Sequence, residues 1–206
     1  MTYHTVYTGK DTLKDELTYR FYASHPFLYK GDVLLFLHKG YNIADFDALV
    51  SEFHLKVAIS DPIGDLFDLP ALYRPAREAL DLMTETSFHS GSVFQVPQLK
   101  PLLLLSSLQT RSDLVSERIR FLSACDREKG SQYCETLYHY LSSGRSLKET
   151  CAALFTHRNT ILYRIHKMQG EYGVPLDNPS AHLELLLGVS LALFRTKGAD
   201  FFLKKA

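Results

Sequence analysis

The 206-residue sequence lacks the features of an exported or membrane-spanning protein. No apolar run reaches the roughly 18 residues that a spanning helix needs. The first residues, MTYHTVYTGKDTLKDEL, contain no apolar core of a signal peptide. Only three cysteines are present (Cys125, Cys134 and Cys151), and their spacing argues against a disulfide framework and against a zinc module. These absences predict a protein of the reducing cytoplasm that has no contact with a membrane.

An excess of charge is also lacking, since 23 Lys and Arg balance 23 Asp and Glu. Affinity for nucleic acid would therefore have to come from a local patch. From Gly144 to Lys167 the chain has five basic residues and one acidic residue, a net charge of +4, so the rest of the chain sums to −4. The basic residues are Arg145, Lys148, Arg158, Arg164 and Lys167, and the acidic one is Glu149. Positive charge is thus concentrated in this one segment.

The first half of the chain, residues 1–95, has the pattern of a small α/β domain. We expect a strand on each side of the turn YKGD, in an aromatic stretch that begins at Leu17. A helical stripe runs from Ile43 to Phe53, and LKVAISD is typical of a short buried strand. In DLPALYRPAREALDLM, Asp68 can cap a helix that contains Pro75. GSVFQV is the last predicted strand.

The second half of the chain is predicted to be helical. Residues 96–112 form a connector in which LLLLSSL is expected to pack as a short helix, and residues 113–206 form an all-α domain. The predicted helices are Leu114–Ala124, Tyr133–Leu141, Leu147–Leu154, Arg158–Glu171 and Ala181–Arg195. The last of them is apolar on most faces, so we expect it to be buried in the core or in a dimer interface. The predicted fold class is α+β, with two domains.

The segment SLKETCAALFTHRNTILYRI contains two short helices joined by about three residues, which is the length of a helix-turn-helix. Cys151 supplies the small side chain where the helices would cross, and Ile161 supplies the apolar contact from the second helix. His157 falls at the N-cap of that helix. Free backbone N–H groups and the helix dipole would favour an anion there.

The second helix has two faces, because successive residues turn by ~100°. Ile161, Ile165, Met168 and Tyr172 share an apolar stripe. Thr160, Tyr163, Arg164 and Lys167 share a second stripe almost opposite, and such side chains can bond phosphate oxygens and base edges in a major groove. The alternative from the pattern alone is a solvated amphipathic helix in an α-hairpin.

A run of His-Arg-Asn-Thr followed by Tyr-Arg, here His157–Thr160 and Tyr163–Arg164, resembles the C-terminal helix-turn-helix of the PucR/CdaR family of bacterial transcriptional regulators. The similarity covers about residues 117–196. It implies binding of double-stranded DNA by a homodimer, with a recognition helix at 158–169 and an unknown small-molecule effector. Thr160, Tyr163 and Arg164 would lie near base edges, Asn159 and Lys167 on the backbone, and His157 and Arg158 at the start of the helix.

The stretch VAISDPIGDLFDLPALYRPAREAL resembles the degenerate GGDEF-like, or cyclase-like, domain that often precedes this helix-turn-helix. The hairpin HPFLYKGD lacks the paired acidic residues that hold Mg²⁺ and the glycines that admit a nucleotide. The resemblance therefore implies no cyclase activity. We expect no catalytic residues, no metal site and no cofactor.

Two other functions stay open at the level of the sequence. The chain could be a ligand- or protein-binding regulatory module, in which the first half binds a nucleotide or a partner and the helical half serves oligomerisation. An enzyme ranks third, because it would need turnover of GTP without the acidic pair. A steep salt dependence of DNA binding would separate a DNA-binding regulator from the ligand- or protein-binding module.

Overall fold

The computed structural model describes residues 2–6, 10–21, 24–37, 45–86 and 93–203. The chain forms two compact units, Met1–Leu104 and Leu105–Ala206. This division falls inside the stretch 96–112 that was predicted as a connector, and the domain limits at 95 and 113 stay predictions. Nowhere in the described ranges does a helix combine the length and apolar character that crossing a membrane requires.

A five-stranded sheet with the order β2-β3-β1-β4-β5 organises the first unit. Its elements are β1 (Thr2–Val6), α1 (Lys10–Arg20), β2 (Phe27–Tyr29), β3 (Asp32–Phe36), α2 (Asp45–Phe53), β4 (Lys56–Ile59), α3 (Leu69–Glu85) and β5 (Val93–Gln95), followed by α4 (Val96–Ser107). β1 is antiparallel to both β3 and β4, β2 is antiparallel to β3, and β5 is parallel to β4. From β1 to β4 the elements follow the ferredoxin-like order βαββαβ.

The predicted turn at YKGD is confirmed. Lys30 and Gly31 both have positive φ, 48° and 90°, as the two central residues of a type I′ hairpin turn require. The strand predicted before this turn is shorter than expected, because Leu17 lies in α1. Its side chain is buried together with Leu13 and Phe21, four residues to either side. This helical spacing outweighs the β propensity of the neighbouring Thr and Tyr residues.

The other elements predicted for the first half are present. α2 buries Phe46 and Leu49, although Ile43 lies outside the described residues. α3 continues through Pro75, and Asp68 occupies its N-cap position, but the Asp68 side chain makes no hydrogen bond that caps the helix. α4 fills most of the predicted connector and includes the leucine run, of which Leu102 is buried and Leu104 is exposed.

A polar contact fastens α3 to the hairpin of the first unit. The hydroxyl of Tyr73 donates a 2.8 Å hydrogen bond to the carboxylate of Asp32, and Arg77 donates to its other oxygen at 3.3 Å. Asp32 is 4% exposed. The buried carboxylate therefore has an ion-pair partner in Arg77 and a hydrogen-bond donor in Tyr73, as a buried charge requires.

The second unit consists of helices around its own apolar core. They are α5 (Glu117–Lys129), α6 (Tyr133–Ser142), α7 (Leu147–Leu154), α8 (Arg158–Gly170), α9 (His182–Lys197) and α10 (Asp200–Leu203). Ile119, Leu122 and Leu137 are fully buried at the centre of this core. The five predicted helices are confirmed with small shifts in their ends. α9 is less buried than expected, because Leu183 and Leu187 in its first half are exposed to 65% and 53%.

Candidate nucleic-acid interface

α7 begins at a serine N-cap. Ser146 is its N-cap residue, and the Ser146 hydroxyl accepts a 3.3 Å hydrogen bond from the backbone N–H of Glu149. The hydroxyl of Thr150, which is fully buried, donates to the carbonyl of Ser146 at 2.7 Å. Cys151, the predicted small residue, is partly buried against the core of the unit. These contacts define where α7 starts and which face it turns inward.

Three residues, Phe155 to His157, separate α7 from α8, as predicted. Phe155 ends α7 in the left-handed conformation, with φ of 49°, and its side chain is 97% exposed. The N–H of Thr156 bonds the carbonyl of Cys151 at 3.1 Å, so one of the last carbonyls of α7 is satisfied within the turn. The turn thereby ends one helix and sets the direction of the next.

His157 is the N-cap residue of α8, as predicted. Its carbonyl accepts hydrogen bonds from the N–H groups of Thr160 and Ile161 at 3.0 and 3.2 Å. Among the described residues, however, the imidazole of His157 makes no capping hydrogen bond, so the predicted side-chain cap is not observed. The first-turn N–H groups and the helix dipole at this end favour a negatively charged group.

One face of α8 anchors it to the unit. Ile161 and Met168 are fully buried and Ile165 is 5% exposed, which confirms the apolar stripe predicted from the spacing. Tyr172, beyond the end of α8, packs against the rings of Phe121 and Tyr133 with centroids 5.1 and 5.6 Å away. Four side chains that follow the helical repeat thus determine which face of α8 is turned to solvent.

The outward face of α8 contains Asn159, Tyr163, His166 and Gly170, all of them exposed. This stripe is rotated by about 80° from the predicted one of Thr160, Tyr163, Arg164 and Lys167. Thr160 is exposed at its edge. His166 was not identified as a site residue from the sequence, although the position opposite the buried isoleucines is a signal that could have identified it.

Arg164 is turned toward α6 and is only partly exposed. Its guanidinium donates to the side-chain oxygen of Gln132 at 2.8 Å and to the hydroxyl of Thr136 at 3.2 Å. The prediction that Arg164 reads a base stays untested. In this structure, two N–H groups of its guanidinium are already used within the protein.

Lys167 is also engaged within the protein. Its ammonium donates to the hydroxyl of Tyr163 at 3.3 Å and lies 3.5 Å from the carboxylate of Glu171. It also sits 6.0 Å from the centroid of the Tyr172 ring. The Tyr163 hydrogen bond and then the charge of Glu171 raise the pKa of Lys167, against the opposing effect of desolvation, so the group stays charged.

The predicted site residues therefore separate into two groups. His157, Arg158, Asn159, Thr160 and Tyr163 are all exposed and cluster at the N-terminal half of α8, whereas Arg164 and Lys167 make internal contacts. The first group presents hydroxyl, amide, imidazole and guanidinium groups beside a helix N-terminus. This is a set of donors and acceptors suited to phosphates and base edges.

Acidic residues that could suggest a metal site are in other contacts. Asp61 forms an ion pair with Lys100 at 2.7 Å, and the Asp65 carboxylate accepts from the N–H of Phe67 at 2.9 Å. Within the part of the chain that the structure describes, no group of three or more His, Cys, Asp or Glu side chains could hold a metal ion.

Residues 133–191 match the family model of the PucR C-terminal helix-turn-helix domain. The chain is 27% identical over 136 residues to the purine catabolism regulatory protein of Bacillus subtilis (strain 168), covering 65% of this chain and 25% of that protein. It is 22% identical over 153 residues to the proline-responsive transcriptional activator PutR of the same organism, covering 69% and 37%. The matches thus span about a quarter of the first relative and little more than a third of the second.

A solved structure, that of the regulator of polyketide synthase expression from Bifidobacterium adolescentis, is a more distant neighbour. It shares 16% identity and a TM-score of 0.40, over 96% of this chain and 81% of that one. A likeness at this level supports no conclusion about function. The sequence matches do show that residues 133–191 are a PucR-type helix-turn-helix domain and that the chain is homologous to transcriptional regulators.

Proposed function

We propose that this chain, with its PucR-type helix-turn-helix domain, is a sequence-specific DNA-binding transcriptional regulator that places α8 in the major groove. The main support for this proposal is the exposed face of α8. It presents Asn159, Tyr163 and His166 on a helix whose opposite face is fully buried. An α-helix fits the major groove, and an asparagine side chain can bond the edge of an adenine there with two hydrogen bonds.

The exposed residues at the start of α8 suit contacts with the DNA backbone. Arg158 and His157 flank the helix N-terminus, where charge and N–H groups favour a phosphate. Thr160 lies between these residues and the outward stripe, and its hydroxyl can bond either a phosphate or a base. Lys167 adds positive charge at the edge of the surface.

A homodimer is part of the proposal. α8 has 13 residues, so one copy reaches only a few base pairs. Two copies that read half-sites about one helical turn apart (~34 Å) would supply the affinity and specificity that one lacks. The first unit would carry the regulatory input through a small-molecule effector. Its ferredoxin-like element order supports the cyclase-like resemblance.

Salt-dependent binding to a pool of randomised duplex DNA tests the proposal. We expect a linear fall of log K with log salt concentration, because phosphate contacts release counterions. Sequencing the bound duplexes after selection should reveal two related half-sites. For variants of α8, the matched control is Arg120→Ala, which removes one exposed positive charge from α5. Binding without a salt slope, or no selected sequence, would favour the ligand- or protein-binding module instead.

A further inference from the structure

We infer that Arg164 is a positioning residue, which holds the recognition helix at its angle through Gln132 and Thr136 and does not read the DNA. This inference rests on the proposed function, since it assigns a role within DNA binding. The guanidinium of Arg164 links the middle of α8 to the beginning of α6 by two hydrogen bonds, of 2.8 and 3.2 Å.

The groups that Arg164 contacts are themselves held in place. Thr136 is fully buried, and its hydroxyl donates to the backbone carbonyl of Gln132 at 2.7 Å. Gln132 is the N-cap residue of α6 and has a left-handed backbone, with φ of 58°. A non-glycine residue in this conformation is disfavoured unless its surroundings impose it. The backbone that carries the Gln132 acceptor is therefore held in a defined conformation.

The start of α6 is fixed in turn from α5. One oxygen of the Asp126 carboxylate accepts from the N–H of Tyr133 at 2.6 Å, and the other accepts from the N–H of Cys134 at 2.8 Å. A continuous set of hydrogen bonds thus runs from α5 through the first turn of α6 to Arg164. Recognition surfaces need this kind of support, because small displacements of the helix move every contacting group together.

The direction of the side chain also argues against base reading. Arg164 lies about 100° around the helix from Tyr163, on the side of α6. A guanidinium that reads guanine uses two N–H groups of its fork at once. Two of its five N–H groups are held on the side of α6 by Gln132 and Thr136, whereas Asn159 and Tyr163 already face solvent.

A double-mutant cycle in DNA binding tests the inference on the full chain. Arg164→Met keeps the apolar stem and removes the donors, while Gln132→Leu keeps the shape and removes the acceptor. We expect each variant to bind the duplexes selected by the wild type about tenfold more weakly. The double variant should bind little more weakly than Arg164→Met, because that variant already lacks the contact with Gln132. Gln132→Glu retains the acceptor and should bind like the wild type.

Two further readouts separate positioning from DNA contact. A positioning residue should weaken preference at all positions of the selected site and leave the salt slope unchanged. Loss of discrimination at a single base pair in Arg164→Met, with normal binding by Gln132→Leu, would identify Arg164 as a base reader. A salt slope reduced by about 0.9 would identify a phosphate contact. Either result overturns the inference. A wild-type chain that binds no duplex would instead refute the proposed function, and this inference with it.

Discussion

The hydroxyl of Tyr73 donates a 2.8 Å hydrogen bond to the carboxylate of Asp32, which is almost fully buried. This contact joins α3 to the first residue of β3, across 41 positions of the sequence. Since a buried carboxylate is costly to leave without a donor, the contact should contribute measurably to the stability of the first unit.

We expect Tyr73→Phe to lower the free energy of unfolding of the first unit by about 1–3 kcal/mol. Urea unfolding monitored by circular dichroism would measure the change. Tyr19→Phe is the matched control, because Tyr19 is 84% exposed and should tolerate the substitution. Equal stability of the two variants would contradict the assigned role of the Tyr73 hydroxyl.

Tyr73 should also make the stability of the first unit depend on pH in the alkaline range. Burial, and then the hydrogen bond to Asp32, raise the pKa of Tyr73 from 10.0 to about 12. The neutral phenol is thus favoured in the folded state, and its stabilisation is complete below pH 10 and lost as the pH rises to about 12. The loss should be roughly 2–3 kcal/mol. Tyr73→Phe should lose correspondingly less stability than the wild type over this pH range.

Asp126→Ala should destabilise the second unit by about 1–3 kcal/mol, because it leaves two N–H groups of α6 without their acceptor. Hydrogen exchange at Tyr133 and Cys134 should accelerate more than exchange in α9. Glu128→Ala removes a carboxylate from an exposed position on the same helix and serves as the control. Unchanged exchange in Asp126→Ala would show that the cap is dispensable.

Phe155→Asn should stabilise the second unit by about 0.5–1 kcal/mol. Asparagine tolerates the left-handed conformation better than phenylalanine, and a side chain that is 97% exposed contributes little burial. Chemical denaturation gives the change in stability, and duplex binding is measured in parallel. Weaker DNA binding by a more stable variant would show that the ring itself contacts the nucleic acid.

Arg158→Ala should weaken binding to all duplex sequences alike and reduce the salt slope by about 0.9, because Arg158 is assigned to a phosphate. Binding titrations at several salt concentrations measure both quantities, with Arg120→Ala as the control for loss of charge. A loss confined to one base pair of the selected site would instead assign Arg158 to a base.

The helix-turn-helix was predictable because its signals are local. The small residue Cys151, the three-residue turn and the spacing of Ile161, Ile165 and Met168 all lie close together in the sequence. α7 was predicted with the limits that the structure shows. In the first unit, the YKGD turn was predictable for the same reason, since a two-residue turn with glycine determines the hairpin.

The roles of Arg164 and Lys167 could not be read from spacing. The partner of Arg164, Gln132, is 32 residues away in the sequence, so only the packing of α6 against α8 brings them together. Long basic side chains also bend along a helix surface, and their charged ends can lie far from the direction of their Cα atoms. His166 was missed because the stripe was selected for side chains that can bond DNA. Which side chains of α8 are exposed is determined instead by the face of the helix that is buried.

The Asp126 carboxylate has a consequence for how this module can be excised or transplanted. The match to the family begins at Tyr133, the very residue whose backbone N–H bonds to Asp126. A fragment that starts at the family boundary would leave the first turn of α6 uncapped and would lose the apolar side chains of α5. The smallest piece able to fold by itself is therefore expected to be longer than the segment that matches the family model, and grafting experiments should include α5.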